Sequence, residues 1–194
     1  QKLLTFNYQQ CVDYLINKYG PVKKNYFTDS SMTKKSTGIT RGKEGLYIHH
    51  IDEDKAILLS TPKWAMLQPY SYQHASRLVY CNLLEHLVLH IKIFEFPNPN
   101  KVPNMEVGVG GIYNFIVPEL NDIYSGILYK QPWKQKVVEL VLPLKDDYFS
   151  CISHLIKLNF KYPLLSSFNT LFGNWSNEKN KLIYYKLRKL GVKK

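Results

Sequence analysis

The chain has 194 residues, 45% hydrophobic and 21% charged, enough for one compact domain or two small ones. It holds no run of about 18 consecutive apolar residues, which excludes a membrane-spanning helix. The apolar residues after Gln1 and Lys2 are broken by Asn7, Gln9, Gln10 and Asp13, unlike a secretory signal. Lys and Arg number 26 against 15 Asp and Glu, a formal charge of +11. That surplus favours a polyanionic partner, DNA, RNA or an anionic membrane surface, with a plain solubility surplus as the alternative. Cys11, Cys81 and Cys151 are too few and too scattered for a disulfide framework and form no CxxC pair, so a reducing, cytoplasmic setting is expected.

In chain order, Phe6, Val12, Leu15 and Tyr19 predict an amphipathic helix from Thr5 to Tyr19, stopped by Gly20-Pro21. Residues 21–45 are polar and basic and read as an extended, partly strand-forming arm or a solvated loop. Leu46-Tyr47-Ile48 is a short β-type run leading into His49-His50-Ile51. A turn at Asp52-Glu53-Asp54-Lys55 and a second strand at Ala56–Leu59 follow. Pro62 begins a short helix through Trp64 to Leu67. Leu78-Val79-Tyr80 is another β-type run, and a strong helix extends from Asn82 to Phe94 until Pro97 and Pro99 end it.

Residues 97–107 are the best candidate linker. The Gly-rich turn Val107–Gly111 precedes an apolar segment, Ile112–Tyr124. It lacks the Lys-Ser/Thr of a P-loop, so close packing on a neighbouring helix suits it better than phosphate binding. Helices are predicted at Asp146–Leu158, Pro163–Phe172 and Ser176–Leu190, the last two joined at Gly173-Asn174-Trp175. The chain thus divides into residues 1–96, 97–145 and 146–194.

Four of the six histidines fall in two short clusters. His86 and His90, four apart on a helix, project from one face and can converge on one metal ion. Buried without a partner, two imidazoles are costly. Leu87, Val88 and Leu89 stand between them, so the zincin pattern, with its Glu after the first His, is absent. His49 and His50, adjacent on a strand, point to opposite sides, so one can face a metal and the other a separate reaction partner.

His49-His50-Ile51, followed by a spacer and by Leu78-Val79-Tyr80-Cys81-Asn82-Leu83-Leu84-Glu85-His86-Leu87-Val88-Leu89-His90, resembles the HNH (His-Me finger, ββα-metal) endonucleases. The likeness is to phage-type HNH proteins and nuclease colicins, and it covers residues 45–93. It implies an α+β fold, a ββα-metal nuclease core embedded in a mainly helical chain. It implies His49, His86 and His90 as metal ligands and His50 as the general base that activates water in phosphodiester hydrolysis. Three imidazoles favour Zn, Ni, Mn or Co over Mg. There is one departure. Where the family has a middle Asn that pins the loop bearing the base, this chain has Arg77, which can instead bind a phosphate oxygen; Asn82 is the nearest Asn but can simply cap the helix. Asp52 and Asp54 are turn residues or an additional oxygen ligand.

The basic C-terminal segment resembles the last helix of a helix-turn-helix module, with Lys186, Arg188 and Lys189 as nucleic-acid contacts. Cations suiting a helix C-terminus are the alternative. The leading expectation is a metal-dependent endonuclease acting on DNA, restriction-like or from a mobile element, with RNA and a homodimer left open. A metal-stabilised DNA-binding protein without cleavage activity, or a nuclease toxin, is the alternative.

Overall fold

The structure is a computed structural model in which residues 2–168 and 175–193 are described. Mostly helical, it is an α+β arrangement around one two-stranded antiparallel sheet. Helix α1 (Tyr8–Tyr19) starts later than expected because Asn7 caps it. The Asn7 side chain accepts from the Gln10 backbone, and Gln10 Oε1 accepts from the Asn7 backbone, each at 2.9 Å. Residues 21–45 are largely irregular apart from an isolated bridge between Phe27 and Lys35 and a 3-10 turn at Gly42–Glu44.

Strand β1 (Tyr47–His50) pairs with β2 (Leu78–Cys81) in the register Tyr47↔Cys81, Ile48↔Tyr80, His49↔Val79 and His50↔Leu78. The strand expected at Ala56–Leu59 is absent, which corrects the sequence reading. Ile51–Asp54 curls into a 3-10 turn, and Leu58 takes a left-handed φ of 56°, incompatible with an extended run. Ala56 and Leu59 are buried all the same, as the apolar plugs of a loop. The short helix α2 (Pro62–Ala65) follows.

Helix α3 (Leu83–Glu95) packs against α1, both strands and the later helices. Asn82 caps it in a second capping box with Glu85. The Glu85 carboxylate also receives Lys18 Nζ at 2.6 Å and Tyr19 Oη at 2.9 Å, tying the first turn of α3 to the end of α1. After Val107, residues 109–124 are continuously helical: α4 (Val109–Gly111), a wide π turn (Ile112–Ile116) and α5 (Val117–Tyr124). Pro118 has no N–H to close a regular turn, and the widened segment precedes it.

Helices α6 (Pro132–Val141), α7 (Lys145–Lys157) and α8 (Asn177–Lys189) complete the chain, with the Ser176 side chain capping α8. Residues 163–168, the described part of the helix expected at Pro163–Phe172, are not helical; the remainder, with Gly173 and Asn174 of the expected connection, lies outside the described residues. None of the described helices is long and apolar enough to cross a membrane.

One hydrophobic cluster runs through Leu15, Val79, Leu87, Leu120, Val141, Ile152 and Leu187, so all three stretches of the chain contribute to it. A smaller one, built from Tyr26, Phe27, Ile39, Leu78 and Tyr80, lies on the other face of the sheet. β2 alternates between the two, Val79 and Cys81 to the first and Leu78 and Tyr80 to the second. Residues directly opposite in a sheet share a face, so the register sends His49 to the α3 side and His50 to the other.

Candidate metal centre

His49 from β1, Glu53 from the turn after it, and His86 and His90 from α3 bring one ligand atom each to within 4.8 Å of one another. His90 Nε2 lies 3.2 Å from both His86 Nε2 and Glu53 Oε2, and His49 Nδ1 lies 3.5 Å from that same carboxylate oxygen. Ligands about 2.1 Å from a tetrahedral cation stand about 3.4 Å apart, so these three separations match its edges. The group could hold a metal ion.

Tyr8 Oη is 2.8 Å from both the Ile51 carbonyl and His49 Nε2. Its single proton must go to the carbonyl, which can only accept, so it accepts from His49 Nε2–H and leaves the lone pair on Nδ1. His49 Nδ1 is buried with no hydrogen-bond partner among the described residues. His90 Nδ1 donates to the Gly108 carbonyl at 3.2 Å, which leaves the lone pair on Nε2. The lone pairs of His49 Nδ1 and His90 Nε2 therefore both face the Glu53 carboxylate, and the His86 ring, 3.2 Å from His90 Nε2, is the neighbour that can donate to it. A cation satisfies that arrangement.

The electrostatics agree. Burial, opposed by Glu53 and reinforced by His86 and His90, pushes His49 well below the usual imidazole range. His86 is pushed down to about 3, by burial first and the neighbouring His90 second. For Glu53 burial acts upward, but the adjacent His90 and the other histidines around it outweigh that and hold the carboxyl far below its usual range. Neutral imidazoles and an ionised carboxylate are the forms that ligate metals.

The Gly-rich turn closes the site from behind. A Cβ on Gly111 would lie 2.3 Å from His90 Cε1, and one on Gly108, whose φ is 79°, would lie 2.8 Å from the His90 carbonyl oxygen. The glycines thus serve close packing on α3, as their sequence suggests.

His50 lies across the strand. It is 1% exposed, its ring centroid 4.5 Å from that of Tyr26 and its Nε2 3.0 Å from Gln73 Oε1. Gln73 Nε2 donates to the Leu59 carbonyl at 3.2 Å, so this amide fastens both His50 and the loop after it. Burial pushes His50 down as well, against the opposing Glu53 and Gln73. Its one approach to the cluster is through Glu53, whose Oε1 is 3.9 Å from His50 Nδ1.

The other anticipated residues are placed apart from the cluster. Arg77 makes a double hydrogen bond to the buried Asp52, both at 2.7 Å, and Lys55 joins it at 2.7 Å. Neither Asp52 nor Asp54, which binds Asn98, reaches the metal group. Asn82 is a helix cap. Lys186, Arg188 and Lys189 are exposed on α8. Sequence reasoning missed Glu53, Tyr8 and Gln73. For Glu53 a signal existed, since it follows His49 by four residues in a tight turn; the other two come from loops and helices whose approach no spacing announces.

His86, His90 and Glu53 help to line a cleft of about 820 Å³, walled also by the loop after β1, the segment before α4 and the π turn. None of the described residues lining it is Lys or Arg. No family model matches the chain, and no curated protein or solved structure is found to be similar to it.

Proposed function

We propose that the protein is a metal-dependent endonuclease that hydrolyses DNA phosphodiester bonds at the His49–Glu53–His86–His90 centre, in the manner of the HNH enzymes its motif resembles. The observation that carries this reading is the convergence of three imidazoles and a carboxylate beside a cleft that Glu53, His86 and His90 help to line, with His49 Nδ1 buried and unpartnered among the described residues. The strand–strand–helix order of β1, β2 and α3 supports a ββα-metal core. His49, His86, His90 and Glu53 would hold a divalent cation, with Zn, Ni, Mn or Co suited to the nitrogen-rich set. Such an ion supplies charge neutralisation at a scissile phosphate and acidifies water.

The chain's own residues do the rest. Tyr8 and the Gly108 carbonyl orient the two imidazoles, and Glu53 stays ionised beside the cleft. His50 is the proton acceptor in the resemblance, and its neutral ring suits that role. Gln73 stands in for the missing Asn by pinning both His50 and the loop.

A second reading is favoured by one observation: His50 is closed off at 1% exposure and already hydrogen-bonded. On that reading the four ligands form a structural metal site in a DNA-binding protein that does not cut. Plasmid incubated with the purified protein, with EDTA or with added Mn, Mg, Ni or Zn, separates the two when His50→Ala runs alongside. Metal-dependent nicking that His50→Ala loses while keeping its metal supports the nuclease. No cleavage in any metal, with metal and DNA still bound, leaves the structural site.

A further inference from the structure

The cleft beside the metal centre differs from the rest of this +11 chain in carrying carboxylates, Glu53 and Glu106, and no described cation. A duplex presents about one phosphate charge per 1.7 Å of its axis, and such a wall would repel it. The cleft is instead lined by aromatic rings and amides: Trp64, Tyr113 and Phe115 with Asn104 and Asn114. Tyr113 is held in place from outside, its ring stacked on Tyr162 at 4.9 Å and 17°, while the Tyr162 hydroxyl donates to Glu106. Phe115 is 54% exposed, so the face of its ring is open to a ligand in the cleft.

The backbone at the cleft is also irregular. Leu58 and Asn104, both lining it, are two of the non-glycine residues with left-handed φ, at 56° and 62°. The π turn Ile112–Ile116 sets Tyr113, Asn114 and Phe115 together along one wall. Strained and widened backbone of this kind collects at ligand sites.

We propose that this cleft receives an unstacked nucleobase of a single-stranded segment, its ring against Phe115 and Trp64 and its edge toward Asn104 and Asn114, with the adjoining phosphate beside His86 and His90 when a cation is bound there. A base is uncharged, flat and rich in donors and acceptors, which is the complement of these walls. The inference rests on the nuclease reading for its substrate class. It implies that the strand is cut as a single strand or after local unpairing.

The test is binding of a labelled eight-nucleotide single-stranded DNA, and of its duplex, to the full chain in EDTA, followed by fluorescence anisotropy. The single strand is expected to bind at least about tenfold more tightly than the duplex. Phe115→Ala, truncating a side chain already half in solvent, should lose about 5- to 100-fold of that affinity. Circular dichroism checks that its fold is kept, and Trp64→Ala gives a second view of the same wall. Equal affinity for strand and duplex, or a Phe115→Ala protein that is folded and binds the strand like the parent, overturns the base cleft. Because EDTA prevents cleavage, this outcome is independent of the nuclease reading, which the plasmid experiment decides by itself.

Discussion

His49 and His50 are neighbours on one strand, equally buried at 0% and 1%, yet they stand in two different kinds of surroundings. On the His50 side every ring nitrogen that bonds does so to a partner that is itself satisfied: Nε2 meets Gln73, whose amide in turn holds Leu59. On the His49 side Nε2 is satisfied by Tyr8, but Nδ1 faces Glu53 and the α3 histidines with no hydrogen bond of its own. A buried polar group left unpaired costs about 1–3 kcal/mol. Burial alone therefore does not mark a candidate ligand; what marks it is an unpartnered ring nitrogen facing a carboxylate and two further imidazoles, a group that could hold a metal ion.

The largest effect that would break this comparison is on metal. His86→Ala is expected to lower metal affinity by more than the roughly 10–100-fold that loss of an outer partner causes, read by elemental analysis after dialysis. Added metal at a thousand times its Kd should stabilise the parent by about 4 kcal/mol in urea unfolding and the variant by almost nothing. If His50→Ala loses its metal as completely as His86→Ala, the two sides of the strand are not distinct.

The next effect is steric. Gly111→Ala would set a methyl 2.3 Å from the His90 ring, so a cost of about 1–3 kcal/mol in urea unfolding is expected, together with weaker metal binding. Gly110→Ala is the internal control. Its nearest neighbour is Asn114 Nδ2 at 3.8 Å, and it should leave both quantities unchanged or raise stability slightly. Similar losses from the two substitutions would mean that the α4 turn does not press on His90 as the structure has it.

Much of this was legible in the residues, for physical reasons that also explain what was not. His86 and His90 could be paired because a helix repeats faithfully enough that a spacing of four fixes a shared face. His49 and His50 could be separated because a strand alternates. Asn82 was readable as a cap, and the capping-box pattern with Glu85 bears it out. Ala56–Leu59 misled because four apolar residues bury equally well as a strand or as plugs of a loop, and only the left-handed Leu58 separates the two. Arg77 looked free to bind phosphate because no local pattern shows that Asp52, 25 residues earlier, would claim its guanidinium. The residues that orient the site, Tyr8 and Gln73, are 41 and 23 positions from the histidines they hold, distances that tertiary packing alone bridges.

A matched pair of these orienting residues sharpens the comparison further. Gln73→Leu removes the acceptor for His50 Nε2 and the donor to the Leu59 carbonyl in a buried place, so about 1–3 kcal/mol of stability should be lost in urea unfolding. Metal affinity should stay within about twofold, since no ligand is touched. A tenfold loss of metal from Gln73→Leu would show that the His50 network extends into the centre through Glu53.

Tyr8→Phe is the milder counterpart on the other side, and its effect should fall on the metal. The ring stays, so its edge contact with the His49 ring is preserved, and only the hydroxyl between His49 Nε2 and the Ile51 carbonyl is lost. Without it His49 can place its proton on either nitrogen, and the tautomer with a proton on Nδ1 cannot ligate. About a tenfold loss of metal affinity is expected, the lower end of what outer partners of metal-bound imidazoles contribute. The loss should be larger in Tyr8→Phe than in Gln73→Leu, reversing their order in the stability measurement. If the two variants bind metal equally well, the proton on His49 is not set by Tyr8, and the asymmetry between the neighbouring histidines must come from Glu53 and α3 alone.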